Sequence, residues 1–272
     1  MNSGHLIKRL LPPFVTDWIR RARSGTHPSF TWEGVYPRLG DVPTENGKYD
    51  EAAQVEYFLS QTREKLALVR EGKTPDPGRH GPLAWLVASV SANQNPVRLL
   101  DFGGGVGQGF VQLLGNLRGG ATIEYHVVEL EGMCIAGRQF FAGDSRIRFH
   151  TTLPPMHNGL DIVYASSVLS YVENYADLLQ QLAGYRARYL LLTQLAAGPF
   201  PTYATRQLNL PGQVLAYWFL NLEEVKTIIT GLGYSLAYED QSGPEHDQRN
   251  FPETHRLGRM RNLLFFRSEE PK

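Results

Sequence analysis

The feature that most constrains this 272-residue chain is one short run, Leu99-Leu-Asp-Phe-Gly-Gly-Gly-Val-Gly-Gln-Gly-Phe110. An apolar strand delivers Asp101, then Gly103, Gly104, Gly105 and Gly107, into the start of a helix. Glycines there let the chain leave the strand in a tight turn and let a ligand approach backbone with no Cβ in the way. The run therefore reads as a nucleotide-type site at a strand end, which calls for an open α/β sheet around it.

The texture after Pro96 agrees. Short β-type runs alternate with helical patterns, the signature of βα units and a mostly parallel sheet. Strands are expected near Arg98 to Phe102, Ile123 to Val128, Ile147 to His150, Ile162 to Ala165, Tyr189 to Thr193, Tyr234 to Glu239 and Asn262 to Phe266. Helices are expected near Gly107 to Leu117, Gly132 to Phe141, Tyr175 to Tyr185 and Leu222 to Leu232. Asn221, with Glu224 three residues on, forms a capping-box pattern for the last helix. No helix separates the final two strands, so they should pair antiparallel across the loop Gln241 to Gly258. The fold class is α/β, a Rossmann-like seven-stranded, mostly parallel sheet with an antiparallel last strand, over residues 96–272.

Residues 1–95 read as an N-terminal arm and helical region. Residues 24–48, with Phe30, Trp32 and Tyr36, suggest an ordered loop. Apolar spacing over residues 49–71 predicts an amphipathic helix with a candidate break near Ser60. A second helix is expected at Leu83 to Val90, ended by Asn93 to Pro96.

The charge balance, 27 Lys and Arg against 27 Asp and Glu, argues against a nucleic-acid binder held by a global basic field. The balance is uneven along the chain. Residues 1–23 carry Lys8, Arg9, Arg20, Arg21 and Arg23 against Asp17 alone, so the arm is +4 and the rest −4. Interleaved Leu6, Ile7, Leu10, Leu11, Phe14, Val15, Trp18 and Ile19 suit either a peripheral anchor on anionic lipid or a segment packing on its own domain. Cys134 is the lone cysteine, which excludes an intrachain disulfide and a thiolate zinc site and fits a reducing compartment. No run approaches the ~20 apolar residues of a membrane span, and Pro12 and Pro13 cut the early apolar run too short for a signal peptide. A cytoplasmic protein is expected, with peripheral contact at the inner face of the membrane as one reading of the arm.

The dinucleotide pattern G-x-G-x-x-G fails in its usual register, because its third position falls on Gln108. What fits is an acid at the strand end followed by G-x-G-x-G, here Asp101, Gly103, Gly105 and Gly107. In this respect the sequence resembles the class I S-adenosylmethionine-dependent methyltransferases. The resemblance implies S-adenosyl-L-methionine as cofactor, its methionine part above the loop and its amino group oriented by Asp101. A sulfonium ligand has no pyrophosphate, so an acid beside the loop is tolerated electrostatically. Glu129, followed by Leu130, ends the second strand where the family places the carboxylate that takes both ribose hydroxyls, and a carboxylate has acceptor capacity for two O–H donors. The acid often found after the third strand is absent; that place reads His150-Thr-Thr-Leu-Pro154, leaving Thr151 or the backbone to meet adenine. Ser166 and Ser167 resemble the segment lining the cofactor and acceptor cleft. The likeness spans Pro96 to Arg267. Trp32-Glu-Gly-Val-Tyr36, together with Gln207, is similar to a little-characterised methyltransferase family associated with bacterial surface-polysaccharide synthesis, which implies a glycan or related small-molecule acceptor.

Methyl transfer to an alcohol needs a base, and His157, in the loop Pro154 to Asn158, leads the candidates, with His150 and Glu173 behind it. His126, inside the second strand, reads as a core or cross-strand residue. The stretch Pro199 to Phe219 could cover the acceptor, with Tyr203, Arg206, Gln207 and Trp218 as contacts, or form a packed lid without contact. Asp161, Glu173 and Asp177 make no recognisable ligand set, so no metal is expected. Two alternatives stand beside this reading. One is a non-catalytic S-adenosylmethionine-binding partner of glycan-assembly enzymes. The other is an NAD-dependent oxidoreductase, disfavoured by Gln108.

Overall fold

The computed structural model describes residues 30–45, 52–76, 78–91, 96–117, 122–209 and 213–268. The arm of residues 1–23 lies outside them, as do residues 92–95, where the second helix was expected to stop. Along the chain run β1 (Trp32–Tyr36), α1 (Ala52–Arg70), α2 (Gly81–Ser91), β2 (Val97–Phe102), α3 (Gln108–Asn116), β3 (Ile123–Val128), α4 (Glu131–Phe140), β4 (Ile147–His150) and β5 (Ile162–Ser166). Then follow α5 (Tyr175–Gly184), β6 (Tyr189–Leu195), β7 (Ala197–Gly198), β8 (Tyr203–Gln207), β9 (Leu215–Asn221), α6 (Leu222–Gly231), β10 (Tyr234–Ser242) and β11 (Met260–Arg267).

The main sheet has the order β10-β11-β6-β5-β2-β3-β4. β2 to β6 are parallel, and β11 is antiparallel to both β6 and β10, as the missing crossover helix required. Each face buries its own layer, which is why the central strands read as near-continuous apolar runs. Leu99, Tyr125, Ile162 and Tyr164 pack with Leu83, Val87 and Phe110 from α2 and α3. Leu100, Val163, Leu190 and Leu263 pack with Leu179, Leu182, Val225 and Ile229 from α5 and α6. Asn221 caps α6, its side chain accepting from Glu224 N at 2.9 Å. α1 is unbroken at Ser60, whose hydroxyl turns back onto the Tyr57 carbonyl at 2.8 Å and leaves the backbone helical.

A second sheet, β1-β8-β9-β7, was not expected. The Trp32 segment is a strand rather than a loop, and Pro199 to Phe219 supplies strands rather than a lid. Trp32 stands opposite Gln207. One residue too many on β1 makes a bulge, where Gly34 takes φ +82 and the Tyr36 ring lies 2.7 Å from the place a Cβ would occupy. Both faces of this sheet are covered. Trp32, Tyr203, Tyr217 and Phe219 join Phe251 and Leu257 of the β10–β11 loop. Ala204, Trp218 and Leu220 join the α5 and α6 core. Because β7 to β9 leave directly from the C-terminal end of β6, this sheet stands as a roof beyond that end of the parallel strands, the end at which the glycine run leaves β2. Among the described residues no helix is long and apolar enough to cross a membrane.

Candidate functional site

The glycine run forms the turn from β2 into α3, with Gly103, Gly105 and Gly107 at positive φ and Gly104 between them. Gly105 is the open position of the loop: at φ +58, a Cβ there would meet only Gln108 Oε1, 3.9 Å away, and otherwise open space. Val106, the residue after it, is anchored by Met133 and Ala136 of α4 and by Val55, Phe58 and Leu59 of α1. The loop therefore has a rigid back and an open front.

Two carboxylates flank it. Asp101 is 1% exposed and accepts a hydrogen bond from Tyr125 Oη at 2.5 Å. Burial pushes its carboxyl up to about 7 and the nearby Glu129 adds to the rise, against the pull of the Tyr125 hydroxyl and Arg79. A buried acid so poised gains most from a cation placed next to it. Glu129 is half-buried; its Oε1 accepts from Gly105 N at 3.3 Å and its Oε2 from Leu130 N at 2.6 Å. Those bonds fix the carboxylate at the lip of the loop. Leu130, the residue before α4, is exposed there.

A cation faces them that motif reading missed. Arg79, in the connector before α2, donates from Nη2 to Gln108 Oε1 at 2.9 Å and from Nε to His80 Nε2 at 3.3 Å. Lys65 of α1 is close enough that Arg79, after burial, helps hold its ammonium below the usual range. His80 is buried and held neutral, first by burial and then by Arg79 and Lys65. It continues into a buried chain, His80 Nδ1 to Tyr164 Oη, Tyr164 Oη to Thr193 Oγ1, and Thr193 Oγ1 to Ser166 Oγ, each at 3.0 Å. Acids and a cation thus border the same loop.

Ser166 ends β5 in that chain. Ser167 follows at φ +58, held by its N–H on the Thr193 carbonyl at 2.9 Å. Gln194, at φ +52, marks a bulge in β6, and its N–H donates to Asn262 Oδ1 at 3.0 Å. Two of three non-glycine residues at positive φ among those described thus sit at the ligand-binding edge of the sheet, where strain is commonly stored.

The structure places the remaining site candidates as follows. His150, at the end of β4, stacks on His126 with centroids 5.2 Å apart and bonds it, Nε2 to Nδ1, at 3.0 Å. His126 Nε2 faces Glu124 Oε1 at 3.2 Å. A carboxylate only accepts, so His126 Nε2 donates, its Nδ1 accepts, and His150 keeps Nδ1 as an acceptor. Burial lowers the pKa of both rings. Thr151 is exposed just beyond. Asn158, next to His157, accepts through its carbonyl from Arg98 Nη1 at 3.3 Å, which ties this loop toward the opening of β2. Glu173 is exposed beside Gly40.

Tyr203 and Trp218 lie inside packed layers. Tyr203 is buried among Phe200, Phe219 and Phe251 with its hydroxyl on the His255 carbonyl. Trp218 is buried edge-on to Tyr175 on the α5 side. Both of these side chains are enclosed by their neighbours and serve packing. Arg206 is matched to Glu33 at 3.3 Å and Glu45 at 3.8 Å. Gln207 alone of that set meets the edge, accepting from Tyr171 Oη at 2.8 Å just after Ser166 and Ser167.

No protein-family model matches the chain, and no curated protein matches it. Among solved structures it resembles the Burkholderia thailandensis 1,6-didemethyltoxoflavin-N1-methyltransferase, solved with 1,6-didemethyltoxoflavin and S-adenosylhomocysteine bound, at 12% identity and a TM-score of 0.51, over 89% of this chain and 99% of that one. It also resembles the CcbJ methyltransferase of Streptomyces caelestis at 16% identity and a TM-score of 0.47, over 72% and 92%. A third is the magnesium protoporphyrin IX methyltransferase of Synechocystis PCC 6803, with bound S-adenosylhomocysteine, at 19% and 0.45, over 82% and 90%. The first likeness identifies the fold class: a Rossmann-like methyltransferase fold.

Proposed function

We propose that the protein is an S-adenosylmethionine-dependent methyltransferase that O-methylates a saccharide or related small acceptor. The observation that carries the cofactor assignment is the glycine loop held between Asp101, Glu129 and Arg79. Asp101 would receive the cationic amino group, Arg79 the carboxylate, and Glu129 the ribose hydroxyls. The open front of Gly105 leaves room for the ligand between them. The cofactor would supply an electrophilic methyl group on a sulfonium sulfur. The chain's own part is to bind and orient it, to exclude water under the roof sheet, and to take a proton from the acceptor. The saccharide is supported by the Trp32 to Tyr36 motif, whose strand pairs with the strand of Gln207.

Calorimetry with S-adenosylmethionine, S-adenosylhomocysteine and NAD tests the reading. Micromolar binding of the first two is expected. NAD binding with no response to either sulfur ligand would overturn it.

A further inference from the structure

The roof contains polar groups that the fold itself does not use. Trp32 and Gln248 are each 3% exposed, and Trp32 Nε1, Gln248 Nε2 and His246 Nε2 are fully buried without a hydrogen-bond partner among the described residues. Buried polar atoms are nearly always paired, so three orphans in one layer ask for an explanation. Two of them belong to neighbouring rings. The His246 ring sits edge-on to Trp32 with centroids 4.8 Å apart, and its backbone N–H donates to the Gly258 carbonyl at 2.9 Å. Gln248 spends its oxygen on Leu257 N at 2.6 Å, leaving only its amide nitrogen over. Asn250 ties the same loop to the Trp32 carbonyl at 2.8 Å.

The layer also lies at the correct end of the sheet. β10 runs parallel to β6, and Gln194 Nε2 donates to Ser242 Oγ at 2.7 Å, so the loop 243–259 leaves from the edge where ligands bind. Trp32 is 5.8 Å from Tyr217 between ring centroids, and Tyr217 is 4.9 Å from Tyr171, at the end of the turn Leu169–Tyr171 that follows the Ser166 and Ser167 corner. An aromatic wall therefore runs from that corner to the orphans.

Resting on the methyltransferase reading above, we propose that the β1 roof and the loop 243–259 form the acceptor subsite, completed by a polyhydroxylated ring, with His246 Nε2 as the base. Trp32 Nε1 and Gln248 Nε2 can only donate, so they require ligand oxygens; His246 in its neutral form can accept an O–H. A sugar offers both, and its apolar face suits Trp32 and Tyr217. As the acceptor oxygen's lone pair forms the bond to the methyl carbon, the C–S pair returns to sulfur and the O–H proton passes to His246 Nε2. Because the three atoms have no accessible surface here, the loop 243–259 must lift to admit the ring, which then supplies the partners they lack.

Two measurements test this without a known acceptor. His246→Phe keeps the ring edge against Trp32 and removes the orphan, so Tm should rise by about 2–6 °C with affinity for S-adenosylhomocysteine unchanged. A fall in Tm would show that His246 Nε2 is paired in solution and would overturn the assignment. Protein labelled with ¹⁵N-histidine and ¹⁵N-tryptophan, saturated with S-adenosylhomocysteine, is then titrated with the methyl glycosides of glucose, galactose, mannose and rhamnose. At least one should shift the His246 and Trp32 signals saturably, and lose that binding in His246→Phe. A panel that leaves both signals in place overturns the subsite. Absence of S-adenosylhomocysteine binding in the unmodified protein would instead sink the cofactor reading.

Discussion

At the scale of single residues, Asp101 ties stability to function. Unfolded, it titrates near 3.8; folded, burial raises it to about 7. Between those values the ligand-free fold keeps a proton that the unfolded chain has lost, so this group's contribution is full below about pH 4 and falls as pH rises to 7, by roughly 1.4 kcal/mol per pH unit. Asp101→Asn should flatten that fall and leave the ligand-free protein more stable than wild type at pH 8, read as Tm across pH 5 to 8. The same change should weaken S-adenosylhomocysteine at least tenfold. In the wild type that affinity should climb from pH 6 to 8, since a cationic amino group favours the ionised acid; a flat profile would contradict it. Glu129→Ala removes at least one charge-assisted bond, ~1.5–3 kcal/mol, or about 10- to 100-fold in affinity by calorimetry. Glu129→Gln keeps an acceptor for Gly105 N and should cost less.

At the scale of elements, legibility followed locality. β3 and β4 match their expected bounds, and β2, β5, β6 and four helices fall within a few residues, because βα units repeat one pattern over short distances. The α6 cap was legible for the same reason. Asn221 serves the helix and also donates to the Phe200 carbonyl at 2.8 Å; Asn221→Ala should cost about 1 kcal/mol or slightly more, a Tm loss of about 2–4 °C. The roof was illegible because its pairing is remote: 172 residues separate Glu33 from Thr205, joined carbonyl to hydroxyl at 3.1 Å. Tyr203 and Trp218 looked like ligand contacts because aromatic residues in short, Gly- and Pro-rich stretches carry no periodicity that reveals a two-sided sheet. Arg79 escaped for a related reason, since it acts from a connector and its partner Gln108 comes 29 positions later.

At the scale of the whole molecule, the +4 arm and the −4 remainder still pose a question of placement. If the arm docks on anionic lipid, a version lacking residues 1–23 should lose salt-sensitive sedimentation with phosphatidylserine vesicles while keeping its affinity for S-adenosylhomocysteine. Equal sedimentation of both would place the arm on its own domain. The two halves of the site also differ in when they can exist. The glycine loop, Glu129 and the Ser166 corner are assembled by neighbouring βα units. β1 has no partner strand until residue 207 has been made, and the loop over it comes later still. Long-range closure is slow because loop entropy is lost before the pairing is gained. A growing chain can therefore build the cofactor half first, and it gains its acceptor half only when the first strand of the fold meets nearly the last part to be synthesised.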